Sequence, residues 1–113
     1  MDRNRDRDAI VDILQAIEEI LCSMAGVSLD QLSTNREKQA AILYFLIIIG
    51  EATKRLSSEF RATHSSIDWK GMAGMRDILA HQYDRVDVQV IWDVVQTDLI
   101  PLSQSLKHLL EQQ

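Results

Sequence analysis

The sequence predicts an all-α fold, an antiparallel four-helix bundle with an additional short helix or turn and a kinked last helix. One proline, four glycines and 5% aromatic residues among many aliphatic and charged side chains favour helices over a β-sandwich or barrel. Apolar residues also recur at helical spacing in several long segments, which short connections separate. A length of 113 residues suits one domain, and no linker or repeat divides it, so we expect a single domain over residues 1–113.

The first predicted helix carries an apolar stripe that ends at Met24, and Gly26 can terminate it. The stripe recurs every three or four residues, at Ile10, Ile13, Leu14, Ile17, Leu21 and Met24. The charged segment "MDRNRDRD" precedes the stripe. We expect a solvated end with carboxylates near the helix N-terminus there, and a binding arm is the alternative.

The second predicted helix runs from about residue 35 to 56, after a short turn. "SLDQ" from Ser28 and "TNRE" from Thr34 both have the spacing of a capping box. The helix is apolar on two sides, and each side forms one row: Leu43, Leu46, Ile47 and Gly50 in the first, Ile42, Phe45 and Ile49 in the second. We expect the first row to pack inside the domain and the second row to pack against a second copy, which predicts a homodimer.

Two further helices follow a loop expected near residues 57–66. Ser66 or Asp68 can cap the third helix, and Asp84 or Asp87 can cap the fourth, which spans about residues 88–110. Pro101 lacks a backbone N–H and clashes with the carbonyl four residues earlier, so we expect a kink or break close to Ile100.

Charge and hydropathy indicate which cellular compartment and which classes of binding partner to expect. A net charge of −5 argues against broad attraction to nucleic acid or anionic membranes, although residues 34–63 carry five basic and three acidic side chains. The apolar run at residues 40–49 is half the roughly 20 residues needed to span a bilayer, so no membrane partner is expected. Cys22 is the single cysteine and no signal segment opens the chain, which favours the cytoplasm, with Cys22 as a small buried thiol.

The segment "GMRDILAHQYDRVD" places Arg76, His81 and Tyr83 within eight positions of an amphipathic helix. On an ideal helix Arg76 and Tyr83 share nearly one face, whereas Arg76 and His81 lie about 140° apart. Either the helix ends near Ala80, or the arginine side chain wraps around the helix, or the motif meets its copy in another subunit. The last option agrees with a dimer formed through the second helix.

This arginine, histidine and tyrosine pattern resembles that of the HepT-like toxins of the HEPN superfamily. The segments "DILQAIEEI", "IGEATKRLS", "DWKGMAGMRDILAHQYDRVD" and "VIWDVVQTDLIPL" resemble corresponding family segments in the same order. The resemblance implies a metal-independent endoribonuclease whose active cleft forms at a homodimer interface. It also implies pairing with a minimal nucleotidyltransferase antitoxin that attaches AMP to the motif tyrosine, here Tyr83.

The motif residues are suited to that chemistry. His81 can move protons near neutral pH, and Arg76 can bind phosphate oxygens through its planar guanidinium. Asp77 stands where the family commonly has a small polar residue; it could orient Arg76 or His81, but its charge would repel phosphate. Glu51 can pair with a basic group, or its role can be purely structural. Without the resemblance, Arg76 would be read as a surface ion-pair partner, His81 as a helix-end residue and Tyr83 as a half-buried aromatic.

Neither a cofactor nor a metal is expected. His64 and His108 are isolated from other ligand-type residues, and the chain has no phosphate-binding glycine loop. The rival to an RNA-cleaving enzyme is a non-catalytic helical binding module that docks on a nucleotidyltransferase. The fold alone does not separate the two hypotheses, because the function depends on the site.

Overall fold

The computed structural model describes residues 2–80 and 87–112, with side chains described for residues 4–76 and 87–112. The described residues form helices and no strands, so the all-α prediction is confirmed. The helices are α1 (Asp2–Met24), α2 (Leu29–Ser33), α3 (Arg36–Lys54), α4 (Ser58–Thr63), α5 (Trp69–Ala80), α6 (Val88–Asp93), a π-helical segment (Val94–Leu99) and α7 (Ile100–Glu111).

The charged N-terminal segment belongs to α1, which begins at Asp2 rather than after it. Asp6 is buried, and its carboxylate accepts hydrogen bonds from the Ser57 N–H at 2.7 Å and the Ser57 hydroxyl at 2.8 Å. The Ser57 oxygen in turn accepts from the Phe60 N–H, which caps α4. The expectation of a solvated end is therefore wrong at Asp6, which links α1 to the start of α4.

At the C-terminal end of α1, one prediction is confirmed and another is wrong. Gly26 has a φ of 74°, the left-handed conformation that ends helices and that side chains with a Cβ rarely adopt. Cys22, expected as a buried thiol, is exposed instead. In this turn the core takes up Met24 of the predicted stripe and Ile20, which the stripe did not include.

Two caps set the start of α2 and of α3. Ser28 and Gln31 form the predicted capping box, with each side chain accepting a hydrogen bond from the other residue's backbone N–H. Asn35 caps α3 by accepting from the Lys38 N–H at 3.0 Å. The prediction of Thr34 as this cap is wrong by one residue, because its hydroxyl donates to the carbonyl of Gln31 in the preceding turn.

Helix α3 lies at the centre of the fold, between α1 on one side and α5 on another. Both of its apolar rows enter the core: Leu46 is fully buried, and so are Ile42 and Ile49 of the row assigned to a second copy. That assignment is wrong for Ile42 and Ile49, because neighbours within the chain cover a central helix on most of its circumference. Across the described residues, no helix combines the length and hydropathy that a bilayer-spanning segment requires.

The segment between α3 and α5 was predicted as a loop near residues 57–66. Part of it is helical instead, since residues 58–63 form α4. After it, Asp68 accepts a hydrogen bond from the Gly71 N–H at 3.0 Å and so caps α5, as one of the two predicted options. The Trp69 ring nitrogen donates to the His64 carbonyl at 2.9 Å, which fixes the approach to α5 from α4.

The last third of the chain is helical throughout the described residues 88–111. Asp87 caps α6 through the Gln89 N–H, as one of the two predicted options. Of the kink or break expected close to Ile100, the break is wrong, because the backbone stays helical through Pro101, and the kink stays a prediction. A local irregularity does occur: the π-helical segment has a wider turn and ends two residues before Pro101.

Candidate active site

Arg76 lies where the buried stripe of α5 reaches the surface. Trp69 and Met72 precede it on the same side of the helix, and both are buried against the core. The Arg76 side chain is 39% exposed, so its stem is held by the protein while its guanidinium remains accessible. The arginine of the motif is therefore held at the edge of the core.

Gly50 of α3 lies directly against the backbone of Arg76. A Cβ atom built on Gly50 would lie 2.5 Å from the Arg76 Cβ and 3.0 Å from its backbone nitrogen. Only a residue without a side chain lets the two helices approach this closely. Sequence analysis placed Gly50 in a packing row and missed this contact, although a glycine inside an apolar helix is a signal of close backbone approach.

Glu51 forms an ion pair with Arg76, between its Oε1 and the arginine Nε. Pairing with a basic group is one of the two possibilities expected for Glu51, and the structure shows such a pair, while its role in the site stays a prediction. Because the two side chains are 52% and 39% exposed, solvent screens the pair, and it contributes at most about 1 kcal/mol to stability. Its main effect is orientation, since a carboxylate on Nε restricts the directions in which the guanidinium can point.

The other predicted site residues fall outside what the structure describes. The backbone of Asp77 is helical within α5, but its side chain is not among the described ones. His81 and Tyr83 lie in the undescribed residues 81–86. The structure thus brings Arg76 and Glu51 together, and the roles of Asp77, His81 and Tyr83 stay predictions.

Basic side chains accompany Arg76 at the C-terminal end of α3. Lys54 is exposed one turn beyond Gly50, on the side of α3 that Gly50 presents to α5. Arg55 is also exposed and bonds Asp12 of α1 at 2.6 Å. Lys54 and Arg55 thus bring two further basic side chains to this end of α3, where Asp12 pairs with Arg55.

Among the grooves in other parts of the described structure, two lie against α3 and α5. One of about 650 Å³ lies between α1 and α3, where Ala16, Phe45 and Ile48 form the floor and Asp12, Glu18 and Glu19 contribute carboxylates. The other, of about 370 Å³, lies between α5 and the end of the π-helical segment. Arg76 lines neither groove, and the carboxylates of the first would repel a polyanion.

The described residues were also compared with the ligand sets that bind metal ions. Within residues 4–76 and 87–112, histidine, cysteine and carboxylate side chains form no group of three that could hold a metal ion.

The comparisons with known proteins that give a match all point to ribonucleases. The family model described as "Ribonuclease HepT-like" matches residues 13–109. A probable ribonuclease HepT from Thermococcus cleftensis is 36% identical over 103 residues, which cover 91% of this chain and 94% of that protein. A protein of Caldanaerobacter subterraneus subsp. tengcongensis with the provisional name RNase TTE0752 is 35% identical over 107 residues, covering 95% and 96% of the two chains. No solved structure gives a significant match.

The pair between Glu51 and Arg76 can be measured with a double-mutant cycle. We expect Glu51→Gln and Arg76→Gln to show a coupling of about 0.2–1 kcal/mol in urea unfolding, falling as NaCl is raised to about 1 M. Asp12→Asn is the matched control, because it removes a carboxylate that bonds Arg55; it should show no coupling to Arg76→Gln. A coupling that does not respond to salt would contradict a solvent-screened pair.

Proposed function

The chain belongs to the HepT-like ribonuclease family, and we propose that it is an endoribonuclease whose Arg76 binds the scissile phosphate. One observation carries the proposal: Arg76 is fixed to the core by its backbone, oriented by Glu51 and still 39% exposed. A guanidinium held in this way can stabilise charge that develops on a phosphate without reorganising at the moment of reaction.

The proposed reaction is attack by the 2'-hydroxyl of the RNA on the adjacent phosphorus. A bond forms between the 2'-oxygen and phosphorus, the bond from phosphorus to the 5'-oxygen breaks, and a 2',3'-cyclic phosphate and a 5'-hydroxyl remain. His81 is proposed to move the protons, one from the attacking hydroxyl and one to the leaving oxygen. Arg76 is proposed to bind the non-bridging oxygens, and none of these roles requires a metal ion.

Arg76 is also suited to binding RNA in the ground state. The planar guanidinium makes paired hydrogen bonds to phosphate oxygens, which a lysine cannot reproduce. Because a guanidinium attracts phosphate locally, binding of RNA at Arg76 does not need a basic protein. The rival hypothesis, a binding module without activity, uses the same surface but predicts no cleavage.

We further propose a homodimer that joins two copies of this site. The support is an apolar patch on the outer face of α3, formed by Tyr44, Phe45 and Ile48. Tyr44 is 61% exposed, and its ring packs edge to face against that of Phe45, so the patch is continuous. Tyr44, Ile48 and Glu51 follow one another at spacings of four and three residues, so a copy docked on this patch would border Glu51 and Arg76.

Control by a partner is the last part of the proposal. A minimal nucleotidyltransferase antitoxin would attach AMP to the Tyr83 hydroxyl. The added phosphate is negatively charged and would compete with RNA for Arg76, while the nucleoside would obstruct the approach of the substrate. The pairing of toxin with antitoxin is therefore proposed to act through the charge of the same arginine.

We expect the purified protein to cleave single-stranded RNA in the presence of EDTA and to leave a 2',3'-cyclic phosphate. Arg76→Ala should lower the cleavage rate about 10²- to 10³-fold, and His81→Ala about 10²- to 10⁴-fold. Gel electrophoresis of end-labelled RNA with mass spectrometry of the products measures both. Arg55→Ala and His64→Ala are matched controls of the same residue types and should cleave like the wild type.

Two results would contradict this mechanism. Loss of cleavage in EDTA with recovery in Mg²⁺ would require a metal-dependent reaction. A wild type that binds a nucleotidyltransferase but does not cleave any tested RNA would favour the binding module.

A charged residue in the apolar patch should disrupt the proposed dimer. We expect Phe45→Glu to convert a dimer to a monomer in light scattering at micromolar concentration, because a buried carboxylate without a partner is costly. Glu19→Gln, in the groove beside Phe45, is the control and should remain dimeric. A wild-type monomer at the same concentration would refute the dimer.

The two tyrosines of the chain make a controlled test of modification. After co-expression with a cognate nucleotidyltransferase, we expect a mass gain of one or more AMP units in the wild type and in Tyr44→Phe, but not in Tyr83→Phe. Intact-protein mass spectrometry provides the readout, and Tyr83→Phe should still cleave RNA while escaping inhibition. Equal modification of all three proteins would show that Tyr83 is not the acceptor.

A further inference from the structure

We propose that Gly50 is a positioning residue for RNA cleavage, because its missing side chain sets where Arg76 lies. This inference rests on the proposed function, in which Arg76 binds the scissile phosphate. Gly50 itself has no group that can touch the substrate, so its effect must pass through the arginine.

The contact involves atoms that cannot move independently of the helix backbone. A Cβ at position 50 would lie 2.5 Å from the Arg76 Cβ, 3.0 Å from its nitrogen and 3.2 Å from its Cα. An ordinary van der Waals contact begins at 3.4 Å, so α3 and α5 would have to separate by about 1 Å at this point. Rotation of the Arg76 side chain does not relieve the overlap, since all three atoms belong to the backbone or are fixed to it.

The shift would reach the guanidinium in full. Glu51 is the residue after Gly50 and pairs with Arg76. The backbone of Arg76 and the carboxylate that orients its guanidinium are therefore both positioned by the same turn of α3. Separating the two helices would move the base of the arginine away from that carboxylate. A displacement of about 1 Å in a catalytic group is enough to lower a rate about 100-fold. Alanine at position 50 should therefore act as a catalytic defect in a protein that still folds.

Gly74 provides a matched control on the facing helix. It lies two positions before Arg76, about 200° around α5, and among the described residues nothing lies within 4 Å of a Cβ built there. Both glycines are helical, so alanine brings each position the same gain in helix propensity. The two variants thus differ in whether the new methyl group meets Arg76.

The kinetic experiment compares Gly50→Ala and Gly74→Ala with the wild type over a range of RNA concentrations. We expect Gly50→Ala to lose about 100-fold in kcat with a KM for RNA within about threefold, because the remaining contacts to the substrate persist. Gly74→Ala should stay within about twofold of the wild type in both parameters. A role in general stability alone would leave kcat of the folded protein unchanged.

A second experiment tests the contact without using activity. Thermal unfolding of Gly50→Ala is measured in three backgrounds at position 76: the native arginine, Arg76→Ala and Arg76→Gly. Alanine keeps the Cβ and glycine removes it, so the drop in Tm caused by Gly50→Ala should be similar in the first two backgrounds and smaller in the third. If Gly50→Ala fails to fold by itself, the double variant with Arg76→Gly should restore folding.

The outcomes separate the inference from the function on which it rests. Wild-type kcat in Gly50→Ala, or an equal drop in Tm in all three backgrounds, would overturn the positioning role. Undiminished cleavage by Arg76→Ala would overturn the proposed role of Arg76 and therefore that of Gly50 in catalysis. In that case the unfolding series would still report whether the two backbones are in contact.

Discussion

The backbone contact between Gly50 and Arg76 is the constraint on which the rest of the structure depends. It fixes the separation of α3 and α5 at one point, and the side chains on either side must fill the space that this separation leaves. Leu46 on α3 and Met72 on α5 do so one turn away from the contact. Since protein interiors are close-packed, the position of the arginine is then determined by the core and not by its own surface contacts.

The site combines a rigid base with a weakly held charge. Burial of Trp69 and Met72 fixes the helix that carries Arg76, while the exposed pair with Glu51 adds little to stability. In the proposed reaction, a phosphate can therefore replace the carboxylate on the guanidinium, or bind beside it, at a small cost in free energy. A deeply buried ion pair would not allow this exchange. This division suits the role proposed for Arg76, which requires a group that is oriented before the substrate arrives and still accessible to it.

Sequence patterns identified local features well and long-range ones poorly. The caps at Ser28, Asp68 and Asp87 depend on residues within three positions, and each was among the predicted options. The burial of Ile42 and Ile49 depends on which helices surround α3, and the burial of Asp6 depends on Ser57, 51 residues away. The site follows the same rule. The local motif predicted Arg76, and pairing with a basic group was one of the possibilities for Glu51. The contact at Gly50 depends on how α3 and α5 pack, so it could only be seen in the structure.

The π-helical segment changes the register of everything that follows it. Ile91, Val95, Leu99 and Ser103 are all buried, and they recur every four residues. In a regular α-helix that spacing would drift about 40° per step, so the last of them would have turned away from the core. The wider turn at residues 94–99 absorbs this drift and keeps one face inward. The number of residues in this stretch therefore matters for packing: removing one would rotate Leu106 and Leu109, both buried, by about 100° about the helix axis and out of the core.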